Sequence, residues 1–171
     1  MPRILELFLL AVTFPLWGLL LLILMGILAV THRPVFFIQK RPGLNGHPFR
    51  LIKFRTMRAG KEPDAVRITR LGRWLRATSL DELPELLNVL RGDMALVGPR
   101  PLLMAYLCEY APEEHRRHNV RPGITGWAQV HGRNRLTRQE KIRYDLEYVA
   151  RRSTAFDFKI LFLTLFHLRG N

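Results

Sequence analysis

Two long apolar stretches stand out along the chain. Residues 4–30 carry Glu6 as their only charge, and they are long enough to span a bilayer, which takes roughly 20 apolar residues. Residues 155–168 carry only Asp157 and Lys159. This second run is too short to span comfortably and too apolar for a free surface helix. We expect it to be buried against the domain or, as the preferred location, in the membrane interface.

Pro15 interrupts the first stretch near its middle, where proline removes a hydrogen bond and kinks a helix. Basic side chains flank both ends of the stretch: Arg3 on one side and His32, Arg33, Lys40 and Arg41 on the other. Positive charge favours the cytoplasmic side, so the stretch is predicted to be a re-entrant helix that enters one leaflet and returns. An ordinary kinked spanning helix is the alternative. The predicted organisation is a membrane helix over 1–31 and a cytosolic domain over 32–171.

The more polar part of the chain begins with two short predicted strands. Residues 35–39 and 48–54 flank the turn 42–46, whose Asn-Gly pair suits a hairpin that needs positive φ. Residues 59–66 are expected to form an exposed loop. Residues 71–76 then alternate apolar and cationic groups, as a helix at a headgroup surface would.

Further elements are predicted after residue 78. They are a helix through Leu90, a buried strand before Gly98, a helix over 102–110, a loop over 121–126, a strand over 127–130, and a helix from a Thr137–Glu140 capping box to about Arg152. The fold class is therefore mixed α/β. It combines an N-terminal membrane helix, a small β-hairpin or sheet, and several amphipathic interfacial helices.

Asp81 and Glu82 are adjacent carboxylates at the point where a helix is about to begin. Ser79 and Glu82 have the spacing of a capping box, although Pro84 fits more easily if Asp81 is the cap instead. In either register Asp81 lies in the exposed first turn, at the positive end of the helix dipole. That position favours bound phosphate and lowers the proton affinity of a carboxylate. A purely capping role for both side chains is the alternative at this point.

The net charge is +13, from 27 basic and 14 acidic residues, which points to nucleic acid, anionic lipid or a phosphorylated substrate as partner. Residues 32–76 hold most of the excess, with twelve Lys or Arg against Glu62 and Asp64. No nucleic-acid-binding motif is recognised, and the basic stretch adjoins an apolar segment, so nucleic acid is not expected as a partner. Cys108 is the only cysteine, which excludes an intrachain disulfide and favours a reducing compartment.

Three other places are candidates for binding, each with a structural alternative. Lys53 and Arg55 share a face at the end of the second strand, where a solvated basic edge is the simpler interpretation. Arg100 lies between two prolines, in a stiff segment that either aims it at a phosphate or forms a structural turn. The two glycines of the 121–126 loop allow close backbone approach to a ligand.

Two other polar patterns have ordinary explanations. His115 and His118 lack an H-E-x-x-H pattern, so we expect solvated histidines rather than a metal site. Asp145 follows Lys141 by four residues, which predicts a surface ion pair on a helix.

A membrane-held domain with many arginines and one carboxylate pair is suited to phosphoryl transfer. Arginines and a divalent metal neutralise phosphate charge, while a carboxylate binds the metal or attacks phosphorus. A site with few carboxylates that works together with substrate phosphates suits Mg²⁺.

Five motifs occur in order along the chain. They are Lys53-Phe54-Arg55-Thr56-Met57, Ser79-Leu80-Asp81-Glu82-Leu83-Pro84, Asn88-Val89-Leu90-Arg91-Gly92-Asp93-Met94, Val97-Gly98-Pro99-Arg100-Pro101, and Arg121-Pro122-Gly123-Ile124-Thr125-Gly126-Trp127-Ala128-Gln129-Val130. Together they resemble the bacterial sugar transferase family, the monotopic phosphoglycosyl transferases, over nearly the whole chain. Phe14 is a departure, because relatives often carry serine before the proline.

The resemblance implies transfer of a sugar 1-phosphate from a UDP-sugar to polyprenyl (undecaprenyl) phosphate, with release of UMP, at the start of surface glycan assembly. The family uses an Asp-Glu dyad with Mg²⁺, which maps onto Asp81 and Glu82. Asp81 would form a covalent phosphosugar intermediate and bind the metal. Glu82 would assist by metal or proton handling.

The resemblance also implies where the other site residues act. Arg76 and Arg100 match family arginines near the phosphates. The remaining candidates for substrate binding are Lys53, Arg55, Arg121, Gly123 and Arg133. The family's re-entrant helix, broken at proline, implies a break at Pro15 and a catalytic domain on the cytoplasmic face of the bacterial inner membrane.

The sugar and the oligomeric state are not fixed by the sequence, and a homo-oligomer is one of the options. A catalytically silent membrane scaffold in a glycan-assembly complex is the alternative function. Such a scaffold would keep the apolar segments and the basic face, but it would not need Asp81.

Overall fold

The computed structural model describes residues 1–31 and 33–167, so His32 and Leu168, the last residue of the second apolar run, lie outside the described part. The chain is mixed α/β with small sheets, as predicted. Its helices are α1 (Arg3–Thr31), α2 (Asp64–Arg67), α3 (Arg70–Ala77), α4 (Glu85–Arg91), α5 (Trp127–His131), α6 (Arg138–Arg151) and α7 (Thr154–His167). Its strands are β1 (Phe36–Pro42), β2 (Pro48–Phe54), β3 (Ala95–Val97) and β4 (Gly123–Thr125).

The predicted hairpin is confirmed. Strands β1 and β2 pair antiparallel in the register that places Phe36 opposite Phe54. In the turn between them, Asn45 has φ 53° and Gly46 has φ 76°. These are the left-handed values for which an Asn-Gly pair is suited, so the turn chemistry fixes the hairpin locally.

Strands β3 and β4 form a second, parallel pair in which Ala95 lies opposite Gly123. The buried strand before Gly98 is thus confirmed, but two neighbouring predictions are wrong. The expected loop over 121–126 contains strand β4, and the expected strand over 127–130 is helix α5. Residues 127–130 are all buried, so the run has no alternation by which a strand could be told from a buried helix.

The remaining helix predictions are partly confirmed. Helix α3 covers the expected segment 71–76, and Thr137 and Glu140 form the predicted capping box of α6. The predicted helix over 102–110 is reduced to a 3₁₀ turn over 104–109, and α2 begins within the expected loop over 59–66.

Helix α1 lies against the rest of the chain along its length. Its buried side chains recur on one face and include Glu6, Leu10, Trp17, Leu21, Leu24 and Leu28. Leu10 packs with Leu51 of β2 and Val89 of α4, whereas Leu28 shares a cluster with Leu75 of α3. Both halves of α1 therefore contact the same domain, while the opposite face of the helix is apolar and exposed.

Among the described helices, α1 is long and apolar enough to cross a membrane, and it runs through Pro15 without interruption. Thr13 Oγ1 donates to the carbonyl of Leu9 at 2.7 Å, and the indole of Trp17 donates to the carbonyl of Leu10 at 3.0 Å. Pro15 has no amide hydrogen to donate to the carbonyl of Ala11, and these two bonds lie at the carbonyls of the two preceding residues. A re-entrant path in the membrane stays a prediction.

Helix α7 is buried on one face. Its Phe156 and Ile160 lie in a cluster with Val97, Trp127 and Tyr148. Its exposed apolar side chains are Phe158, Phe162, Leu165 and Phe166. Burial against the domain thus explains one face of the second apolar run, and the membrane interface stays a prediction for the other.

Gly123→Ala should destabilise the protein severely. A Cβ at this position would overlap the backbone of Gly98 and Thr125, which cannot move without separating β3 from β4. We expect the free energy of unfolding to fall by about 3 kcal/mol, measured through the thermal midpoint in detergent. Gly26→Ala is the matched control, because a Cβ there meets nothing within 4 Å and alanine favours a helix. Equal midpoints for Gly123→Ala and the wild type would contradict this account of the strand pair.

Candidate active site

Asp81 and Glu82 lie in a short 3₁₀ turn, Leu80–Glu82, between α3 and α4. The chain enters the turn through Ser79, whose φ of 57° is left-handed. Ser79 makes no side-chain capping bond in the described structure, so the capping-box prediction is wrong. The physical reason is Pro84, because proline is disfavoured inside a helix and α4 begins only after it.

Two cations hold the Glu82 carboxylate. Arg100 donates through both terminal nitrogens, with Nη1 3.1 Å from Oε2 and Nη2 bonded to Oε1. Lys53 Nζ lies 2.8 Å from Oε1. Burial raises the pKa of Glu82, but Arg100 and Lys53 outweigh it and bring the pKa to about 2. Glu82 is therefore an ionised partner of the two cations and not a helix cap.

The neighbouring Asp81 has a different environment. Its residue is 9% exposed, and its carboxylate has no hydrogen-bond or ion-pair partner within the described residues. Burial, and then the charge of Glu82, raises the pKa of Asp81, and Lys53, Arg76 and Arg100 oppose this only in part. The expectation of an exposed carboxylate with lowered proton affinity is thus wrong. Asp81 precedes helix α4 and is buried, so desolvation outweighs the helix dipole.

Sequence reasoning missed Glu85, the first residue of α4. Glu85 is 1% exposed, and Lys53 Nζ lies 3.1 Å from its Oε1. Neither carboxyl oxygen receives a hydrogen bond of normal geometry from the described residues. Burial, followed by the charge of Glu82, raises the pKa of Glu85 to about 7. The sequence feature that could have indicated Glu85 is the presence of a third acidic residue within the five positions 81–85.

Asn88 is buried and joins α4 to β2. Its Oδ1 accepts a hydrogen bond from the amide of Ile52 at 3.0 Å, and its Nδ2 donates to the carbonyl of Arg50 at 2.7 Å. These bonds fix α4 beside the strand that carries Lys53. Lys53 therefore faces the carboxylates that lie on and just before α4.

Two further predicted cations border the turn. Arg76 Nε donates to Thr56 Oγ1 at 2.9 Å, and the charge of Arg76 acts on Asp81. Arg133 has a φ of 49°, and its Nη1 lies 3.5 Å from Ser79 Oγ. The predicted cations that the structure gathers around the dyad are Lys53, Arg76, Arg100 and Arg133.

Three other predicted site residues have different contacts. Arg55 Nε donates to the carbonyl of Pro34 at 3.0 Å. Arg121 Nε donates at 2.9 Å to the carbonyl of Gly92, which follows the end of α4 that is remote from the dyad. Gly123 lies in β4, and the close approach it permits is to the backbone that follows β3.

The segment 98–101, which carries Arg100, is held from two sides. Backbone hydrogen bonds of 2.9 and 3.0 Å tie the amide of Gly98 and the carbonyl of Pro99 to strand β4. Arg41, which the sequence indicated only as part of the basic flank of the first apolar stretch, donates from Nη1 to the carbonyl of Pro101 at 3.4 Å. The stiffness expected from the two prolines is thus reinforced by tertiary contacts.

Asp145 is not the surface partner of Lys141 that its spacing predicts. Its side chain is 2% exposed and pairs with the 1% exposed side chain of Arg117. Nη2 and Nε of Arg117 lie 2.6 and 3.1 Å from Oδ2 of Asp145. The helical spacing could not reveal this pair, because its members lie 28 residues apart.

His118 is buried, so the expectation that it is solvated is wrong. Burial, followed by the neighbouring charge of Arg117, lowers the pKa of His118 to about 4, which keeps the ring neutral at neutral pH. His115 is exposed, as expected.

Comparison with known proteins gives consistent matches. A family model described as "Bacterial sugar transferase" matches residues 1–170. The chain is 55% identical over 138 residues to the "Uncharacterized sugar transferase EpsL" of Bacillus subtilis (strain 168), which covers 77% of this chain and 68% of that protein. It is similar to the UDP-glucose:undecaprenyl-phosphate glucose-1-phosphate transferase of Xanthomonas campestris pv. campestris, at 41% identity over 91% of this chain and 36% of the relative. It also resembles the Escherichia coli (strain K12) protein of the same name, at 44% identity over 78% of this chain and 32% of the relative. The chain thus spans about a third of the length of the last two relatives.

Glu85→Gln should make the stability less dependent on pH. The pKa of Glu85 is raised to about 7 from 4.5, so the folded protein binds this proton more tightly than the unfolded chain does. The folded state therefore loses stability as the pH rises from 4.5 through 7. Glutamine has nearly the same size as glutamate but does not ionise, so the substitution removes this pH-dependent loss of stability. The variant should gain about 2 kcal/mol over the wild type at pH 8 and little at pH 5.

Thermal midpoints at pH 5, 6, 7 and 8 would measure this gain. Glu113→Gln, at an exposed glutamate, is the matched control and should show no such trend. A constant difference between Glu85→Gln and the wild type at every pH would show that Glu85 does not titrate in this range.

Proposed function

The chain belongs to the bacterial sugar transferase family, and from this premise we propose that it transfers a sugar 1-phosphate from a UDP-sugar to polyprenyl phosphate and releases UMP. Relatives of 41% and 44% identity are named UDP-glucose:undecaprenyl-phosphate glucose-1-phosphate transferases. The observation that carries the proposal is the buried carboxylate of Asp81. It has no partner within the described residues, yet it lies within the field of Lys53, Arg76 and Arg100.

Asp81 is the nucleophile in this proposal. Its carboxylate oxygen bonds to the β-phosphorus of the donor while the bond from that phosphorus to the bridging oxygen breaks, and UMP leaves with the oxygen. An oxygen of polyprenyl phosphate then attacks the same phosphorus and releases the carboxylate. Asp81 suits this role because none of the described cations forms an ion pair with it, whereas Lys53 and Arg100 both pair with Glu82. Its raised pKa also makes the ionised form a better nucleophile.

Lys53 and Arg100 bind the donor's diphosphate. In the structure both cations hold the Glu82 carboxylate, whose oxygens accept the same N–H groups that phosphate oxygens accept. The donor therefore competes with Glu82 for these cations. Once displaced, Glu82 is free for metal or proton handling, the supporting role expected from the resemblance.

Mg²⁺ is the proposed cofactor. Protein sites bind Mg²⁺ through one or two carboxylates together with substrate phosphates. Asp81 fits this pattern because its oxygens have no partner within the described residues, so Asp81 and the donor's phosphates would hold the ion. Bound there, Mg²⁺ supplies neutralisation of the diphosphate charge.

The proposed location is the bacterial inner membrane, with the catalytic domain on its cytoplasmic face. The exposed face of α1 supports this, because it presents large apolar side chains such as Leu16 and Val30. Both halves of α1 contact one domain, which favours a re-entrant path over a span that leaves the domain. A membrane-bound site also suits an acceptor that carries a polyprenyl chain.

Asp81→Asn should abolish the first half of the reaction. The purified protein is mixed in detergent with Mg²⁺ and a panel of UDP-sugars, and UMP release and intact mass are recorded. With the right donor, the wild type should release stoichiometric UMP and gain the mass of one phosphosugar. Asp81→Asn should lose at least about 10³-fold in rate, because an amide is a poor nucleophile. Asp64→Asn is the matched control at an exposed aspartate and should behave as the wild type does.

Three other outcomes would contradict the proposal or part of it. An adduct on Asp81→Asn would place the nucleophile on a different residue. UMP release that requires polyprenyl phosphate and leaves no adduct would indicate direct transfer. Silence from every donor, with and without acceptor, would favour the alternative of a catalytically silent membrane scaffold for glycan assembly.

A further inference from the structure

Arg117 and Asp145 form a buried ion pair that the proposed reaction does not use directly. The two side chains are 1% and 2% exposed. Besides its two contacts with Asp145, the guanidinium donates from Nη1 to the hydroxyl of Tyr110 at 3.2 Å. A buried charge pair is costly to desolvate and is often replaceable by apolar residues without loss of stability. Its presence here therefore calls for a role besides stability.

The Arg117–Asp145 pair contacts the backbone of the candidate active site. Arg117 Nη2, which bonds Asp145 at 2.6 Å, also donates to the backbone carbonyl of Arg100 at 2.8 Å. Arg100 is the residue whose side chain holds Glu82 in the candidate active site. The guanidinium thus joins α6, which carries Asp145, to the segment that presents the phosphate-binding arginine.

The hydrogen bond from Arg117 to the Arg100 carbonyl restrains the part of the segment 98–101 that the other contacts leave unrestrained. Pro99 and Pro101 fix φ on both sides of Arg100, and backbone hydrogen bonds tie Gly98 and Pro99 to β4. The peptide between Arg100 and Pro101 remains, and its carbonyl is the one that Arg117 binds. Holding this carbonyl fixes the direction in which the side chain of Arg100 leaves the backbone.

We infer that Arg117 and Asp145 are positioning residues that fix Arg100 for the phosphates of the donor. Asp145 orients the guanidinium, and the guanidinium orients the Arg100 peptide. The inference rests on the proposed function, since it takes Arg100 as a phosphate-binding residue. It explains why a buried arginine binds both Asp145 and the backbone carbonyl of Arg100.

Arg117→Lys tests the inference. Lysine keeps a positive charge opposite Asp145, but its single ammonium cannot reproduce the fork that reaches both Asp145 and the Arg100 carbonyl. We expect KM for the donor to rise about ten-fold with a smaller change in kcat, because Arg100 binds the donor in the ground state as well as in the transition state. Arg151→Lys is the matched control, since it alters an exposed ion pair on α6, the helix that carries Asp145.

A double variant shows whether Arg117 acts through Arg100. Arg100→Lys combined with Arg117→Lys should lose no more than Arg100→Lys loses, because the positioning contact is then without its target. Losses that add in full would overturn the inference. A KM unchanged by Arg117→Lys would also overturn it. If Arg117→Lys does not fold, Tyr110→Phe removes one partner of the same guanidinium and should raise KM in the same direction, by about three-fold.

Hydrogen exchange tests the positioning without any turnover. The backbone amides of Gly98 and Gly123, whose hydrogen bonds hold the segment 98–101 against β4, should exchange about ten-fold faster in Arg117→Lys, or in Tyr110→Phe to a smaller extent, and at the wild-type rate in Arg151→Lys. Unchanged exchange in the first two variants would overturn the inference. If the wild type releases no UMP from any donor, the proposed function is wrong, and the exchange rates alone then decide whether the pair fixes the segment.

Discussion

The candidate site depends on keeping the carboxylate of Glu82 beside the cations of Lys53 and Arg100. An ionised carboxylate that is buried without a partner costs several kcal/mol, so these groups must arrive together. The chain meets the requirement with three separate segments. Asn88 fixes α4 against β2, which brings in the lysine. The β3/β4 pair carries the 98–101 segment, which brings in the arginine.

The same requirement separates the roles of two adjacent carboxylates. A 3₁₀ turn has three residues per turn, so the side chains of Asp81 and Glu82 leave it in directions about 120° apart. Glu82 meets Arg100 and Lys53, and its pKa falls to about 2. Asp81 meets no partner among the described residues, and burial raises its pKa. Glu82 thus occupies the cations, which leaves Asp81 unpaired among the described residues and available for the nucleophilic role proposed for it.

Much of the local structure could be predicted from the sequence, because short-range chemistry decides it. The Asn-Gly turn, the capping box at Thr137 and the apolar stretch of α1 are confirmed. The resemblance also named four cations that the structure places around the turn of Asp81 and Glu82, namely Lys53, Arg76, Arg100 and Arg133. The contacts between distant residues could not be predicted. Lys53 and Glu82 lie 29 residues apart, and no periodicity within one element reports such a pair.

The errors have the same origin. The 127–130 run reads equally well as a strand or a buried helix, and tertiary packing decides between them. The Asp81 turn looks like an ordinary helix start until Ser79 is seen in a left-handed conformation. The orientation of Arg100 also depends on tertiary contacts that the sequence does not reveal. Its side chain is held by Glu82 and its carbonyl by Arg117, so little conformational freedom would be lost in the proposed replacement of Glu82 by a phosphate. The prolines that flank Arg100 stiffen the segment, but the contacts that aim the side chain come from elsewhere in the chain.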